Sequence, residues 1–476
     1  MFPQLASLSL FPDSELRCGD LLHGVSSTYV VERFLGEGSF GKVARCLKSA
    51  TQEKVAVKIF RNQPRLIEDA RQEIRMLQSI QELDTSYIVR WSGWFESGPH
   101  FCLEFELLDR SLRDVLDWRK RMTLKEINEV LYQLATALTL LETFGIIHAD
   151  LKPENIMVVD CHRPLKVKLI DFGLARHISQ VQVGDTIVTQ WYRAPELLLG
   201  LPYTGDVDVW ALGCVAVEMF TGSPIYPGFT EHQMLEYITE TQGPFPDFML
   251  DFGIKTKRFF NKGWLWTLKS SDQYFRETGV RDVWNEECPL KSLDELLESE
   301  AGDQVETFVG LLKEMLQLDP ELRITPPDIV CTLHHGNAEH DDTRLDNAGS
   351  GCLDMVTSLR LSPNSSLASE EQTTRFDLDQ GSTSECCSKG GRNVSSSRDM
   401  VTRFRRNSTE QSGLQQLESC DETSSSFSYN SAAEVISDHS GALRPAADVQ
   451  KEVAGKWRKV KLKTLCCCCC PTVDAV

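Results

Sequence analysis

No apolar run in this chain is long enough to cross a bilayer. The apolar start "MFPQLASLSLF" has no basic segment ahead of it, and Pro12 and Asp13 cut it short. A spanning helix and a secretory signal are both unexpected. Cations are also scarce: 50 Lys and Arg face 69 Asp and Glu, a formal net charge of −19. Phosphate affinity comes from neutralising cations, so direct nucleic-acid binding is not expected, and acidity of this kind serves solubility. Of 16 cysteines, five form the run Cys466 to Cys470, and the others are scattered without paired CxxC spacing. That argues against a disulfide scaffold and for a reducing, intracellular compartment. Internal repeats are missing too.

The composition changes sharply along the chain. After an N-terminal extension, residues 1–27, the stretch from about 28 to 335 alternates apolar strand-like runs with longer helical patterns. In "EINEVLYQLATALTLLETFG", for example, apolar residues recur three and four apart. Within it, "SSDQYFRETGVRDVWNEECPLKSLDELLESEAGDQ" is more acidic and less periodic and reads as an insertion, placed at about residues 225–305, before the helix "VETFVGLLKEML". Residues 336–455 are rich in Ser, Thr, Asn and Gly. Such a segment buries too little surface to offset the entropy of ordering, so a disordered tail is expected. Residues 456–476 form a polybasic, cysteine-rich end.

The glycines of "GEGSFGKV", Gly36 to Val43, are weak evidence alone. Strand-like "YVVERFL" before and "VARCLKS" after them predict a hairpin, whereas a dinucleotide-binding unit would need a helix to follow. Glycine lets backbone amides approach phosphate oxygens. The alternating strand "VAVKIF" puts Lys58 on one face, and Glu73 follows in the helical pattern "EDARQEIRML". Taken singly, such residues are most often a solvated surface. After a glycine hairpin they suggest an ion pair that holds an ammonium against a nucleotide's phosphates. Glu68 competes as the partner, but Glu73 has Leu77 one turn on, where an apolar contact is expected.

The third block is "HADLKPENIM", followed by the strand "VKLIDFGLA". Phosphoryl transfer needs a base that reaches the attacking hydroxyl, a carboxylate and an amide oxygen for a divalent metal, and a cation near the transferred group. Asp150, Asp171, Asn155 and Lys152 supply these in that order. Magnesium, a hard cation that prefers oxygen ligands, suits Asn155 and Asp171.

With "APE", Ala194 to Glu196, five ordered motifs make about two-thirds of the chain resemble the eukaryotic protein kinase domain. The resemblance implies an α+β, bilobal fold: a small antiparallel-sheet N-lobe with one helix, and a larger, mostly helical C-lobe. It implies ATP and Mg2+ as cofactors, with Asp150, Lys152 and Asn155 catalytic. The nucleotide would lie among Leu35, Gly36, Glu37, Gly38, Ser39, Phe40, Gly41, Val43, Ala56, Lys58, Glu73 and Asp171. Phe105 would close the back of the adenine slot, and Glu106 and Leu108 would offer it backbone hydrogen bonds. Asp208 would brace the catalytic loop, and Arg323 would pair with Glu196. The alternative from another class is a catalytically silent kinase fold acting as a scaffold, against which the intact set Lys58, Glu73, Asp150, Asn155 and Asp171 argues.

"VTQWYRAPELLLG" resembles the proline-directed branch of cyclin-dependent, mitogen-activated and dual-specificity tyrosine-regulated kinases. In that branch Arg193 ties up the backbone near Val188, so proline after the acceptor, lacking an N–H, loses nothing. "HADLKPENIM", "LGLP", "YITETQG" and "GIKTKRFFN" together resemble the homeodomain-interacting protein kinases. The implied substrates are proteins with Ser/Thr-Pro sites, transcriptional regulators among them, and the implied kinase domain is monomeric. Where most kinases carry an Arg that binds activation-segment phosphate, this chain has Ala149, which implies an active arrangement held by packing rather than by an upstream kinase. The tyrosine that this family autophosphorylates is replaced by Thr186. Thr186, or Asp185 with its fixed charge, would serve instead, unless Thr186 is an ordinary loop residue. Thr189 falls where the family bonds the catalytic Asp and Lys.

In "KWRKVKLKTLCCCCC" five cations precede Cys466 to Cys470. A basic patch plus acyl chains gives the two signals that stable membrane attachment needs. Metal binding is the rival, although adjacent cysteines do not easily surround a tetrahedral ion. A bland solvated tail is the third reading.

Overall fold

A computed structural model of the chain describes residues 16–38, 40–81, 86–160, 165–282, 290–299 and 302–338. The tail motifs, Ser39 and Cys466 to Cys470 lie outside the described residues.

Six antiparallel strands form the first layer: β1 (Leu21–His23), β2 (Thr28–Glu37), β3 (Gly41–Lys48), β4 (Lys54–Phe60), β5 (Trp91–Ser97) and β6 (His100–Glu106), in spatial order β1-β2-β3-β4-β6-β5. Period-two patterning sets their faces. Val55, Val57 and Ile59 of β4 are buried with Tyr29, Val31 and Phe95 in one cluster, so Ala56 and Lys58 face the opposite side. Between β4 and β5 runs α1 (Pro64–Ser79), started by a proline that needs no N–H there. Its buried stripe is Ala70, Glu73, Ile74 and Leu77, so a carboxylate lies in the apolar face and is carried inward with it.

The second layer is mostly helical. β7 (Arg110–Ser111) leads into α2 (Leu112–Arg119), and α3 (Leu124–Thr143) comes next. Both helices start with a capping box, Ser111 with Asp114 and Thr123 with Glu126. β8 (Ile146–Ile147), β9 (Ile156–Val158), β10 (Val167–Leu169) and β11 (Arg176–His177) are short. β10, β9 and β7 form one small sheet, and β11 pairs with β8. Then come α4 (Pro195–Leu199) and α5 (Asp206–Thr221). Every residue of α5 from Val207 to Phe220 is buried, the pattern of a helix enclosed on all sides. It packs against α3 and, further along the chain, the helix Asp303–Met315.

α6 (Glu231–Gln242), α7 (Asp247–Phe252), α8 (Thr256–Phe259), the hairpin β12 (Phe260–Lys262) and β13 (Trp266–Leu268), α9 (Ser271–Thr278), α10 (Glu295–Ser299), α11 (Asp303–Met315) and α12 (Pro326–Ala338) complete the lobe. Among the described residues the acidic stretch after Lys269 thus carries two short helices, α9 and α10. Ser270 caps α9 by accepting from Gln273 N, and Gly279 ends it at φ 71°. Among the described residues no helix is long and apolar enough to cross a membrane.

Candidate active site

The glycine hairpin forms between β2 and β3. At Gly41 a Cβ would lie 2.0 Å from the Ile59 carbonyl oxygen, with φ at 154°, so only glycine fits. Among the described residues a Cβ on Gly36 or Gly38 would meet nothing within 4 Å. None of their atoms requires glycine at those two positions, and the open space is what a phosphate approaching the backbone would use. Leu35 is 42 % exposed at the rim, and Val43 pairs across the ladder with Lys58. Glu37 points away, bonding Arg61 at 2.9 Å. Phe40 folds inward, its ring centroid 5.3 Å from Lys58 Nζ.

On the cleft face of β4, Lys58 Nζ lies 2.9 and 2.8 Å from the two Glu73 carboxylate oxygens and 2.8 Å from Asp171 Oδ1. Glu68, the competing partner, is exposed and pairs with Arg75 and Arg71. Burial works against the Lys58 charge, but Asp171 and Glu73 outweigh it and raise its pKa. Burial likewise opposes ionisation of Asp171, and Lys58 overcomes it, lowering that carboxyl to about 2. Asp171 sits at φ 64°, and a Cβ on Gly173 would come within 3.2 Å of its Oδ1 and 3.5 Å of Glu73 Oε2. Glycine at 173 therefore leaves room for the ion triad. Ala56 is partly buried opposite Phe105, which is also partly buried. Glu106 N donates to the Arg90 carbonyl at 3.0 Å while its carboxylate takes Lys168 Nζ at 2.6 Å, and Leu108 is buried.

Across the cleft, Asp150 gathers three groups. Lys152 Nζ is 2.6 Å from Oδ2, Thr189 Oγ1 donates to Oδ1 at 2.8 Å, and Asn155 Nδ2 donates to the Asp150 carbonyl and Oδ2 at 2.8 and 2.9 Å. The Asp208 carboxylate accepts from His148 N at 2.7 Å and Ala149 N at 2.9 Å, which fixes the loop from inside α5. His148 meets the Phe172 ring edge-on at 5.1 Å, so the Asp171 turn and the loop that begins at His148 are packed together.

Among the described residues no group of three or more His, Cys, Asp and Glu could hold a metal. Asn155 and Asp171 nevertheless fit a magnesium ion that keeps water and substrate phosphate as its remaining ligands. Asp171 is ionised and 31 % exposed, and Asn155 spends its N–H donors on Asp150, leaving the amide oxygen as a donor atom.

Two arrangements of the activation segment complete the floor. Arg193 Nε and Nη2 donate to the carbonyls of Ile187 and Val188, both at 3.0 Å, with Val188 at φ 66°. Asp185 Oδ2 accepts from Arg176 Nη1 at 2.9 Å, Tyr203 Oη at 2.7 Å and Gln182 N at 3.1 Å. Thr186 beside it is exposed, and Ala149 is wholly buried at φ 62°. Arg323 forks onto Glu196 at 2.7 and 3.0 Å. Sequence reasoning missed Arg176 and Tyr203 as partners of Asp185, and also Arg113, which bonds Glu154 at 3.0 Å and Glu218 at 2.6 Å. No periodic signal marks those three.

An ammonium bridging two carboxylates above a lysine-bonded aspartate, in a cleft between a curled sheet and a helical lobe, is the arrangement of one class. The chain belongs to the protein kinase family, whose protein kinase domain model matches residues 29–334. Its likeness runs to the homeodomain-interacting kinases. It is 40% identical over 345 residues to homeodomain-interacting protein kinase 2 of Mesocricetus auratus, covering 68% of this chain and 29% of that protein. It is 39% identical over 346 residues to homeodomain-interacting protein kinase 1 of Mus musculus, covering 68% and 28%. With homeodomain-interacting protein kinase 4 of Homo sapiens the identity is 37% over 331 residues, covering 63% and 53%. The chain thus spans under a third of the length of the first two relatives.

Proposed function

We propose that the chain is an active serine/threonine protein kinase that transfers the terminal phosphoryl group of ATP to Ser or Thr followed by Pro. The observation that carries this reading is the joint assembly of the Lys58, Glu73 and Asp171 triad with the Asp150, Lys152, Thr189 and Asn155 cluster. A silent scaffold has no use for both.

Lys58, held in place by Glu73, orients the nucleotide's phosphates. Asp150 accepts a hydrogen bond from the incoming hydroxyl and takes its proton as the new bond forms, and Lys152 offsets negative charge growing on the transferred group. Bound at Asn155 and Asp171, Mg2+ would supply Lewis-acid neutralisation of phosphate charge. Arg193 has already taken the Val188 carbonyl, so a substrate amide N–H at the next position finds no acceptor there. Proline leaves nothing unpaired.

Regulation follows from Asp185. Its carboxylate ties Arg176, Gln182 and Tyr203 together without phosphate, so the segment holds its form with Ala149 in place of a phosphate-binding arginine. An intracellular setting, transcriptional regulators as substrates and a monomeric domain accompany this reading. The polybasic end with Cys466 to Cys470 we assign to reversible acylation at a membrane surface. Acyl-exchange labelling should drop when the five cysteines are replaced by serine, and equal labelling refutes the assignment.

The deciding experiment is turnover of MgATP on a Ser-Pro peptide. Asp150→Asn should lower kcat by roughly 100-fold or more while nucleotide affinity stays within about twofold. Equal residual signal in both proteins would return the chain to the scaffold class.

A further inference from the structure

Arg113 is the second residue of α2. A cation at a helix N-terminus faces the positive end of the helix dipole, so the local preference runs against it. Tertiary partners hold it there. Nη2 is 2.6 Å from Glu218 Oε1 and 3.4 Å from Tyr192 Oη, Nε is 3.0 Å from Glu154 Oε1, and Nη1 is 3.8 Å from Asp117 Oδ1. Glu218 is fully buried, and its other oxygen accepts from Tyr192 Oη at 2.7 Å. Arg113 and Glu154 are 22 % and 34 % exposed, so the cluster opens to solvent on the Glu154 side.

The location matters because Glu154 adjoins Asn155, which bonds Asp150, and Tyr192 adjoins Arg193, which sets the proline site. The cluster therefore flanks the path of an acceptor peptide that touches both Asp150 and Val188. The fit of Arg113 is also incomplete. It reaches Glu154 through one oxygen, and Glu154 Oε2 is buried without a hydrogen-bond partner among the described residues. A guanidinium that approached along the groove could use both oxygens of a carboxylate, the stronger geometry.

We propose that Glu154 and Glu218 form a guanidinium site in the peptide groove which Arg113 fills from within the chain, so that Arg113 is a specificity-determining residue that suppresses selection of arginine ahead of the acceptor. The proposal rests on the kinase reading above. With Arg113 in place, a substrate arginine finds the buried acid already paired and meets a like charge. Without it, two carboxylates face the groove with no cation.

The test compares Ser-Pro peptides carrying Arg or Ala at each of the three positions before serine. Wild type should discriminate less than about threefold, whereas Arg113→Ala should prefer Arg by at least about tenfold at one of those positions. Adding Glu154→Gln to Arg113→Ala should remove that gain, which a merely structural role for Arg113 would not predict. Arg113→Lys serves where the alanine variant does not fold, since it keeps a charge near Glu218 but vacates the fork, and a smaller gain is expected. Thermal shift gives a readout without turnover: the Arg peptide should raise the melting temperature of the variant and not of wild type. An unchanged Arg-to-Ala ratio and an unchanged thermal shift in a folded variant overturn the inference. A wild type that phosphorylates no peptide refutes the kinase reading instead, and the thermal shift still decides the site.

Discussion

Val188 is β-branched and buried, yet its φ is 66°, a conformation that costs about 1–3 kcal/mol for such a residue. The strain persists because Arg193 takes the carbonyls on either side of the kink, and Glu231, 3.0 Å from Nη1, holds the guanidinium in turn. In the proline-directed reading proposed above, one side chain thereby fixes which acceptor a substrate fails to find. Lysine at 193 keeps the charge for Glu231 but cannot fork onto two carbonyls. In Arg193→Lys the ratio of kcat/KM between Ser-Pro and Ser-Ala peptides should fall by about tenfold, the equivalent of one unpaired amide regaining its acceptor. A ratio unchanged from wild type would place the proline preference elsewhere. This position was legible in the sequence only through the resemblance carried by "WYRAPE". Nothing in the residues alone predicts a positive φ at a valine, because propensity opposes it.

At the scale of elements, α1 carries Glu73 to Lys58, and the activation segment carries Thr189 to Asp150. The α1 stripe was readable because its apolar residues recur at helical spacing and place Glu73 among them, and the hairpin was readable because alternating strands bracket its glycines. The segment from Asp171 to Glu196 has no such period. Its form comes from contacts such as Asp185 with Tyr203, 18 residues away, and the Arg113 site closes over 105 residues to Glu218. Pairings of that kind depend on folded geometry, so composition and spacing could not announce them. With Asp185 already bonded to Arg176 and Tyr203, phosphatase treatment of the wild type should leave kcat/KM within about twofold, since no arginine at 149 waits for a phosphate. Asp185→Asn keeps the shape but removes the charge. We expect kcat/KM to fall about tenfold, or about 1.4 kcal/mol, because a charge-assisted bond is roughly twice as strong as a neutral one. Loss of activity on phosphatase treatment, with Asp185→Asn silent, would mean that a phosphate and not Asp185 orders the segment.

The whole molecule adds a pH dependence that lies away from the cleft. His232 of α6 is fully buried, with Nδ1 2.8 Å from Asp282 Oδ2, Nε2 2.7 Å from the Lys269 carbonyl, and the Tyr274 ring stacked at 4.6 Å. Both ring nitrogens face acceptors, so the form this pocket favours is the imidazolium, which carries hydrogen on both. Burial opposes that charge, but the bonds to Asp282 and the Lys269 carbonyl outweigh it and raise the pKa above 6.5. For Asp282 burial is likewise overcome, by His232 and Thr230, and its pKa falls below 3.8. A histidine with a raised folded-state value contributes its full stability below 6.5 and loses it as pH climbs through that folded value. The aspartate contributes above 3.8 and loses its share as pH falls through its own lowered value. The pair therefore stabilises most between those two limits and weakens on the alkaline side, tying α6 less firmly to the turn after β13 and the segment beyond α9. Melting temperature should decline as pH rises from below 6.5 into the alkaline range, and His232→Gln, which has no proton to lose in this window, should start lower and vary less. A wild-type curve parallel to that of His232→Gln would show that the ring is neutral across the range and that another group sets the slope.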